Sequence, residues 1–439
     1  MTTSGRSAEQ MRTGKSPEEL YEEREGRIRA AIELKEPDRV PVVLGGTYFM
    51  AKYAGLDFSA AYYDMPAWKE AFKKTILDFE PDAFGSSIEP GTFGSGMAAS
   101  GTAYDLLGAL QTRWPGGTLP ANVGHQFVEG EYMMGDEYDL FLSDPSDFTL
   151  RFYLPRVYEA LRPFAKLSSP KMWIAGNAFA AATPLFASPE FQQLFAILAK
   201  AGQEQEKWRT AGMSLGDELA TLGFPASAHG PDAGGAPFDV ISDYLRGMRG
   251  SMLDMYRRPE KLLAACEMIL EWRVASMTPA DPNERGNPKI AGGALHRGSD
   301  GFMSKKQFET FYWPSLKKLI LASIDMGYVP CPFFEGTWTE RLEYLLEIPK
   351  GKMICRFADT DMAKAKAVLG DSFCIVGNVP VSLLQAGSPQ EVEDYCRNLI
   401  KVVGKGGGFI LRSSSDAIDE AKPANVKAMV DSVKSYGWY

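Results

Sequence analysis

Among the three histidines of this chain, His125, His229 and His296, the last stands where chemistry is easiest to place. In Gly292-Gly293-Ala294-Leu295-His296-Arg297 it follows a short apolar run and precedes a Ser-capped helix, a strand-end position from which an imidazole can move protons or bind a metal. Cys331-Pro332-Phe333-Phe334-Glu335-Gly336 sets a carboxylate behind an aromatic strand end. Removal from water there would raise the pKa of Glu335 and suit it to proton transfer or metal ligation. The alternative is a first-turn acid held by the dipole of a helix starting near Thr337. His296, Glu335 and Asp359 together offer one nitrogen and two oxygens to a divalent ion such as zinc. Their spacing matches no recognised metal motif, so the same trio can equally be acid–base or substrate contacts.

Several patterns exclude other chemistries. Gly404-Lys405-Gly406-Gly407-Gly408 precedes a strand instead of opening a helix, which is the wrong order for a phosphate loop and the right one for a helix C-cap. No G-x-S-x-G elbow occurs. With 47 Lys and Arg against 56 Asp and Glu, the net charge of −9 argues against nucleic acid or an anionic membrane as partner. Five cysteines without a C-x-x-C pair, a polar N-terminus and no long apolar run point to a soluble protein of the reducing cytoplasm.

These residues need a frame to meet. Ser16-Pro17-Glu18-Glu19 combines an N-cap, a first-turn Pro and a capping-box Glu, and predicts a helix running to about residue 35. A short strand over 40–44 follows. Residues 90–135 show no sustained period and read as long loops or a small irregular insertion. Helical stretches are expected at 145–166 and 189–213. From 289 onward apolar runs at 290–295, 329–334, 353–357, 373–376 and 409–411 alternate with helical patterns near 304–326, 338–347, 361–369, 388–403 and 423–435. Capping boxes at Ser304 with Gln307 and at Ser388 with Glu391 open two of these helices. In the fourth, Val392, Tyr395, Leu399 and Val402 form one apolar stripe.

Consecutive βα units imply parallel strands with right-handed crossovers. A doubly wound sheet and a barrel both satisfy them, but the polar residues decide: His296, Glu335, Asp359, Asn378 and Arg412 each follow or end a strand. In a barrel they converge on one mouth. The expected fold is α/β, a (β/α)8 TIM barrel over residues 37–439 with irregular insertions, preceded by a helical extension over 1–36.

Four motifs in order then suggest a family. Pro37-Asp38-Arg39-Val40-Pro41, Gly377-Asn378-Val379-Pro380 with Leu383-Leu384, Gly387-Ser388-Pro389-Gln390-Glu391-Val392, and Pro423-Ala424-Asn425-Val426 closing at Tyr436-Gly437 resemble the uroporphyrinogen decarboxylase superfamily, most nearly its corrinoid-dependent methyltransferase branch. The resemblance implies the same barrel. It also departs from both known chemistries. The decarboxylases carry an R-Q-A-G-R signature that clamps substrate carboxylates, whereas Gly45-Gly46-Thr47-Tyr48-Phe49 has no arginine. Asp82-Ala83-Phe84-Gly85-Ser86-Ser87-Ile88-Glu89 resembles their catalytic segment with Glu89 in place of Asp. The thiol methyltransferases hold zinc through H-x-C-G and a later Cys, where this chain has Phe333-Phe334-Glu335-Gly336 and Ser413-Ser414-Ser415.

The expectation is therefore a methyltransferase moving a methyl group between a small O- or N-methyl donor, such as a methoxylated aromatic, and a corrinoid on a partner protein. His296 and Glu335 would be catalytic. Glu89, His229, Phe333, Phe334, Trp338, Asn378 and Arg412 would contact substrate. A zinc at His296, Glu335 and Asp359, and a homodimer, are left open. The alternatives are a polycarboxylate decarboxylase or lyase, recognisable by CO2 release, and a non-catalytic corrinoid-binding barrel.

Overall fold

A computed structural model of the chain describes residues 8–85, 99–227, 235–283, 286 and 289–439. Nine strands are found among the described residues: β1 (Val43–Leu44), β2 (Ala83–Phe84), β3 (Thr112–Arg113), β4 (Gln126–Phe127), β5 (Ile290–Leu295), β6 (Val329–Phe334), β7 (Ile354–Phe357), β8 (Cys374–Val379) and β9 (Phe409–Ser413). β5 to β9 form one parallel sheet in sequence order, and β1 pairs with β2 in parallel. Parallel bridges join Val42 to Leu411 of β9 and Phe84 of β2 to Ala226. The result is a single arc of eight parallel segments: Ala226, β2, β1, β9, β8, β7, β6, β5. Among the described residues no pairing joins Ala226 to β5.

Burial on both faces of these strands explains their continuous apolar runs. On one face Val43, Ala83, Ile290, Cys331, Ile354, Cys374, Val376 and Ile410 belong to one cluster. Its members come from both ends of the strand order, as a curled arc requires. Ile28, Ala31 and Ile32 of the helix Pro17–Ile32 close the end of that cluster where the strands begin. The opposite face, including Leu295, Phe334, Phe357, Ile375 and Leu411, packs under the helices.

The N-terminal helix is fastened by charge as well as packing. Asp82, fully buried, accepts from Arg39 Nη1 and Nη2 at 2.7 and 2.8 Å, from Arg27 Nη1 at 3.0 Å and from the Val42 amide at 2.9 Å. Burial would raise its carboxyl, but the two guanidiniums hold it below the usual range.

Local signals in the sequence are realised where they are local. Capping boxes form at Ser16, Ser304 and Ser388 as predicted. The glycine run ends in three left-handed residues, φ +79° at Gly406, +80° at Gly407 and +70° at Gly408, and a Cβ on Gly407 would lie 2.5 Å from the Lys35 carbonyl. It is a turn, and only glycine fits it.

Four expectations change, the first being the helix near 338–347, which is only Leu342–Leu345. The stretch 90–135 contains a helix, Gly101–Leu107, and the antiparallel pair β3 and β4. Residues 145–166 are broken at Tyr158, whose extended backbone separates Leu154–Val157 from a 3-10 turn at Glu159–Lys166. The stripe on Pro389–Leu399 does not continue to Val402, because a π turn over Ile400–Gly404 rotates Val403 inward and leaves Val402 40% exposed. No helix among the described residues is long and apolar enough to cross a membrane.

Candidate active site

Two strand ends build the site. After Leu295 the chain leaves β5, and the amides of His296 and Arg297 donate to the two oxygens of Asp239, each at 3.0 Å. Tyr312 Oη donates to the same carboxylate at 2.7 Å. Asp239 lies in the first turn of Pro237–Val240 and is 2% exposed, and burial pushes it up to about 6 despite these donors. Its role is to fix the backbone that carries His296.

One turn later Asp243, on the π turn Ile241–Arg246, faces the imidazole. His296 Nδ1 and Asp243 Oδ2 are 2.6 Å apart, and Arg297 Nη2 donates to Asp243 Oδ1 at 2.9 Å. Arg297 is held in turn by Ser242 Oγ at 2.9 Å and Glu129 Oε2 at 3.2 Å. From β6, the Glu335 amide donates to the Leu295 carbonyl at 3.2 Å, which ties the two strand ends together. Glu335 Oε2 then lies 3.3 Å from His296 Nε2.

Asp243, His296 and Glu335 thus form a line with the imidazole in the middle. Burial works against a charged ring, but the hydrogen bond to Asp243 and the charges of Asp239, Asp243 and Glu335 outweigh it and push His296 up to about 9. At neutral pH the ring is an imidazolium, with Nδ1–H donated to Asp243 and Nε2–H directed towards Glu335. The Glu335 side chain is 55% exposed and that of His296 37%, so the pair is reachable from solvent. The burial expected for Glu335 is not there: its aromatic neighbours pack beneath it.

The other residues singled out in the sequence divide. Phe333 lies on the same face of β6 as Glu335, under the guanidinium of Arg356, whose Cζ is 4.3 Å from the ring centre. Phe334 and Trp338, expected to line the pocket, are instead fully buried among Phe308, Tyr312 and Phe357. Arg412 is 7% exposed and donates through Nη2 to both oxygens of Asp416 at 2.8 Å. Gly45 and Gly85 make room for it, since a Cβ on either would come within 2.8 Å of Arg412 Nη2.

Asn378 donates to the carbonyls of Ala358 and Thr360 at 2.8 and 3.2 Å, so its amide nitrogen braces a loop. Asp359 is exposed in a cleft of about 390 Å3 shared with Asn378, Tyr395 and Asn398, to which His296 and Glu335 do not contribute. No group of three His, Cys, Asp or Glu side chains able to hold a metal ion occurs among the described residues. The trio of His296, Glu335 and Asp359 is therefore replaced by the line through Asp243. Glu89 and His229 lie outside the described residues.

Asp239, Asp243 and Arg356 were missed in the sequence. A signal existed for each: two carboxylates at i and i+4 in Asp239-Val240-Ile241-Ser242-Asp243, and an arginine inside the apolar run 353–357.

Comparison with known proteins agrees with this frame. The model of the uroporphyrinogen decarboxylase family matches residues 233–436, which hold β5 to β9 and both walls of the site. A uroporphyrinogen decarboxylase from Chlorobium phaeovibrioides is 30% identical over 77 residues, 17% of this chain and 22% of that protein, so the match spans about a fifth of the relative's length. A methyltransferase from Methanosarcina mazei superposes with a TM-score of 0.54 at 15% identity, covering 94% of this chain and 98% of that one. The chain has a uroporphyrinogen decarboxylase-like fold, shared along nearly its whole length with that methyltransferase.

Proposed function

We propose that this protein is a methyltransferase on a closed (β/α)8 barrel, taking a methyl group from a small O- or N-methyl donor in a reaction that uses a partner-borne corrinoid. One observation carries the reading: an imidazolium, held by Asp243 and facing Glu335, on the solvent-accessible end of the strands. A methyl bound to oxygen or nitrogen leaves slowly unless the heteroatom is protonated as its bond to carbon breaks. His296 Nε2–H supplies that proton. Asp243 keeps the ring oriented and charged, and Glu335 returns a proton to it from solvent.

A reduced corrinoid would supply the nucleophile that accepts the methyl carbon. The fit rests on access: His296 and Glu335 stand at an exposed rim, where a group carried by another protein can approach, whereas a sealed site would not allow it. Zinc does not fit, for want of a third ligand among the described residues, and the proposed chemistry does not use it. Phe333 offers the donor an apolar wall.

The test is to incubate the protein with reduced cobalamin and a panel of isotopically labelled O- and N-methyl donors. Label reaching cobalamin from at least one donor, and falling sharply in His296→Gln, is the expected result. No transfer from any donor would sink the reading. A polycarboxylate decarboxylase is the second reading, favoured by Arg356 over the Phe333 ring, and CO2 release without an acceptor would identify it.

A further inference from the structure

We propose that Arg356, with Arg412 beside it, forms a carboxylate-binding subsite, so that the molecule acted on at His296 is an anion. This rests on the reading of His296 as the proton donor and adds the substrate class.

Arg356 stands in β7 opposite Phe333 of β6, on the same face of the arc as His296 and Glu335. Its Nε and Nη2 are buried; among the described residues Nε has no hydrogen-bond partner and Nη2 faces a single acceptor. Those two atoms form one edge of the guanidinium, the edge that receives a carboxylate with two parallel hydrogen bonds. Nη2 lies 3.0 Å from Asp416 Oδ1, but Asp416 is already engaged by Arg412 through both oxygens. One carboxylate therefore faces two guanidiniums, and among the described residues one positive charge is left over.

The cost of that arrangement is visible. Burial and the like charge of Arg412 push Arg356 down to about 10, still protonated at neutral pH. A buried cation with an unpartnered donor and a shared carboxylate is expensive in the absence of a second anion and is relieved by one. The Cys331 thiol, pushed up by burial, feels the charges of both arginines and of Asp416.

The spacing suits a small molecule. From Arg356 to His296 the path crosses two strand intervals, roughly 10 Å, and advances about one pleat, roughly 7 Å. A carboxylate on Arg356 leaves the far end of a compact donor beside His296 Nε2, with Phe333 under its apolar middle. Recognition of this kind uses no residue of an N-terminal arginine motif, which this chain lacks.

Binding can be measured without turnover, by calorimetry on the full chain with acetate and benzoate against acetamide and benzamide. Benzoate is expected to bind at least tenfold more tightly than benzamide, about 1.4 kcal/mol. Arg356→Gln should remove the preference, and Arg356→Lys, which keeps the charge but not the two-donor edge, should retain only part of it. Equal affinity for acid and amide, no affinity for either, equal affinity for sulfate, or an unchanged preference in a folded Arg356→Gln protein would each overturn the proposal. Because the acid and amide are compared on the unaltered chain, the result stands even where a variant misfolds. Carboxylate preference without methyl transfer from any donor would leave the subsite and sink the methyltransferase reading; transfer from neutral donors without the preference would do the reverse.

Discussion

Asp243→Asn separates charge from shape at the centre of the site. The amide keeps the volume of the carboxylate and removes the negative charge that lies 2.6 Å from His296 Nδ1, leaving one oxygen to accept where His296 and Arg297 now use two. With that field gone the ring falls from about 9 towards its ordinary 6.5. At about pH 7.5 a group at 9 is about 97% protonated and one at 6.5 about 9%, so the population of the proton-donating form drops about tenfold. Burial pulls the ring down while Asp239 and Glu335 still hold it up, and water screens a side chain that is 37% exposed, so the change is of that order. The stability linkage has the same sign. A raised histidine contributes fully below about pH 6.5, and the contribution is lost as pH rises through about 9, so the variant loses stability mainly on the acid side of that window.

Imidazole NMR reads this directly, since three histidines make assignment by His125→Gln and His229→Gln simple. His296 should titrate near 9 in the parent and lower in Asp243→Asn, and the alkaline limb of the transfer rate should move with it. A parent midpoint near 6.5, a midpoint unmoved by the substitution, or a rate that climbs through the alkaline limb would refute the assignment of His296 as a charged donor.

Other perturbations follow from the packing. Asp82→Ala leaves Arg27 and Arg39 without their buried partner and should cost about 3–5 kcal/mol in urea unfolding. In the parent the depressed Asp82 carboxyl contributes stability that is present above about pH 4 and lost as pH falls through its folded value, so acid unfolding should be blunted in the variant. Gly45→Ala puts a Cβ 2.0 Å from Asp416 Oδ1; it should displace the pair with Arg412 and destabilise by about 1–3 kcal/mol in the same assay. Trp338→Ala should cost about 3–5 kcal/mol of stability, because the ring is buried under the site and does not line it. A variant as stable as the parent but weak in substrate binding would restore the pocket role.

The sequence by itself determined what rests on neighbours. The caps at Ser16, Ser304 and Ser388 are hydrogen bonds across three residues, and the five runs from 290 to 411 become strands because each alternates with a helical connection, as short as Leu342–Leu345, that returns the chain to the same sheet edge. It also placed His296 and Glu335 at strand ends, from which their approach to 3.3 Å follows once β5 and β6 pair. Tertiary structure decided the rest. Asp243 reaches His296 from 53 positions away, Asp416 joins Arg356 from a different strand end, and Trp338 turns inward because helix packing claims its ring. Proton affinity and pocket lining depend on distances through space, which no run of residues encodes locally. The charged state of His296 and the crowding of Arg356 and Arg412 around one carboxylate are therefore properties of the folded chain.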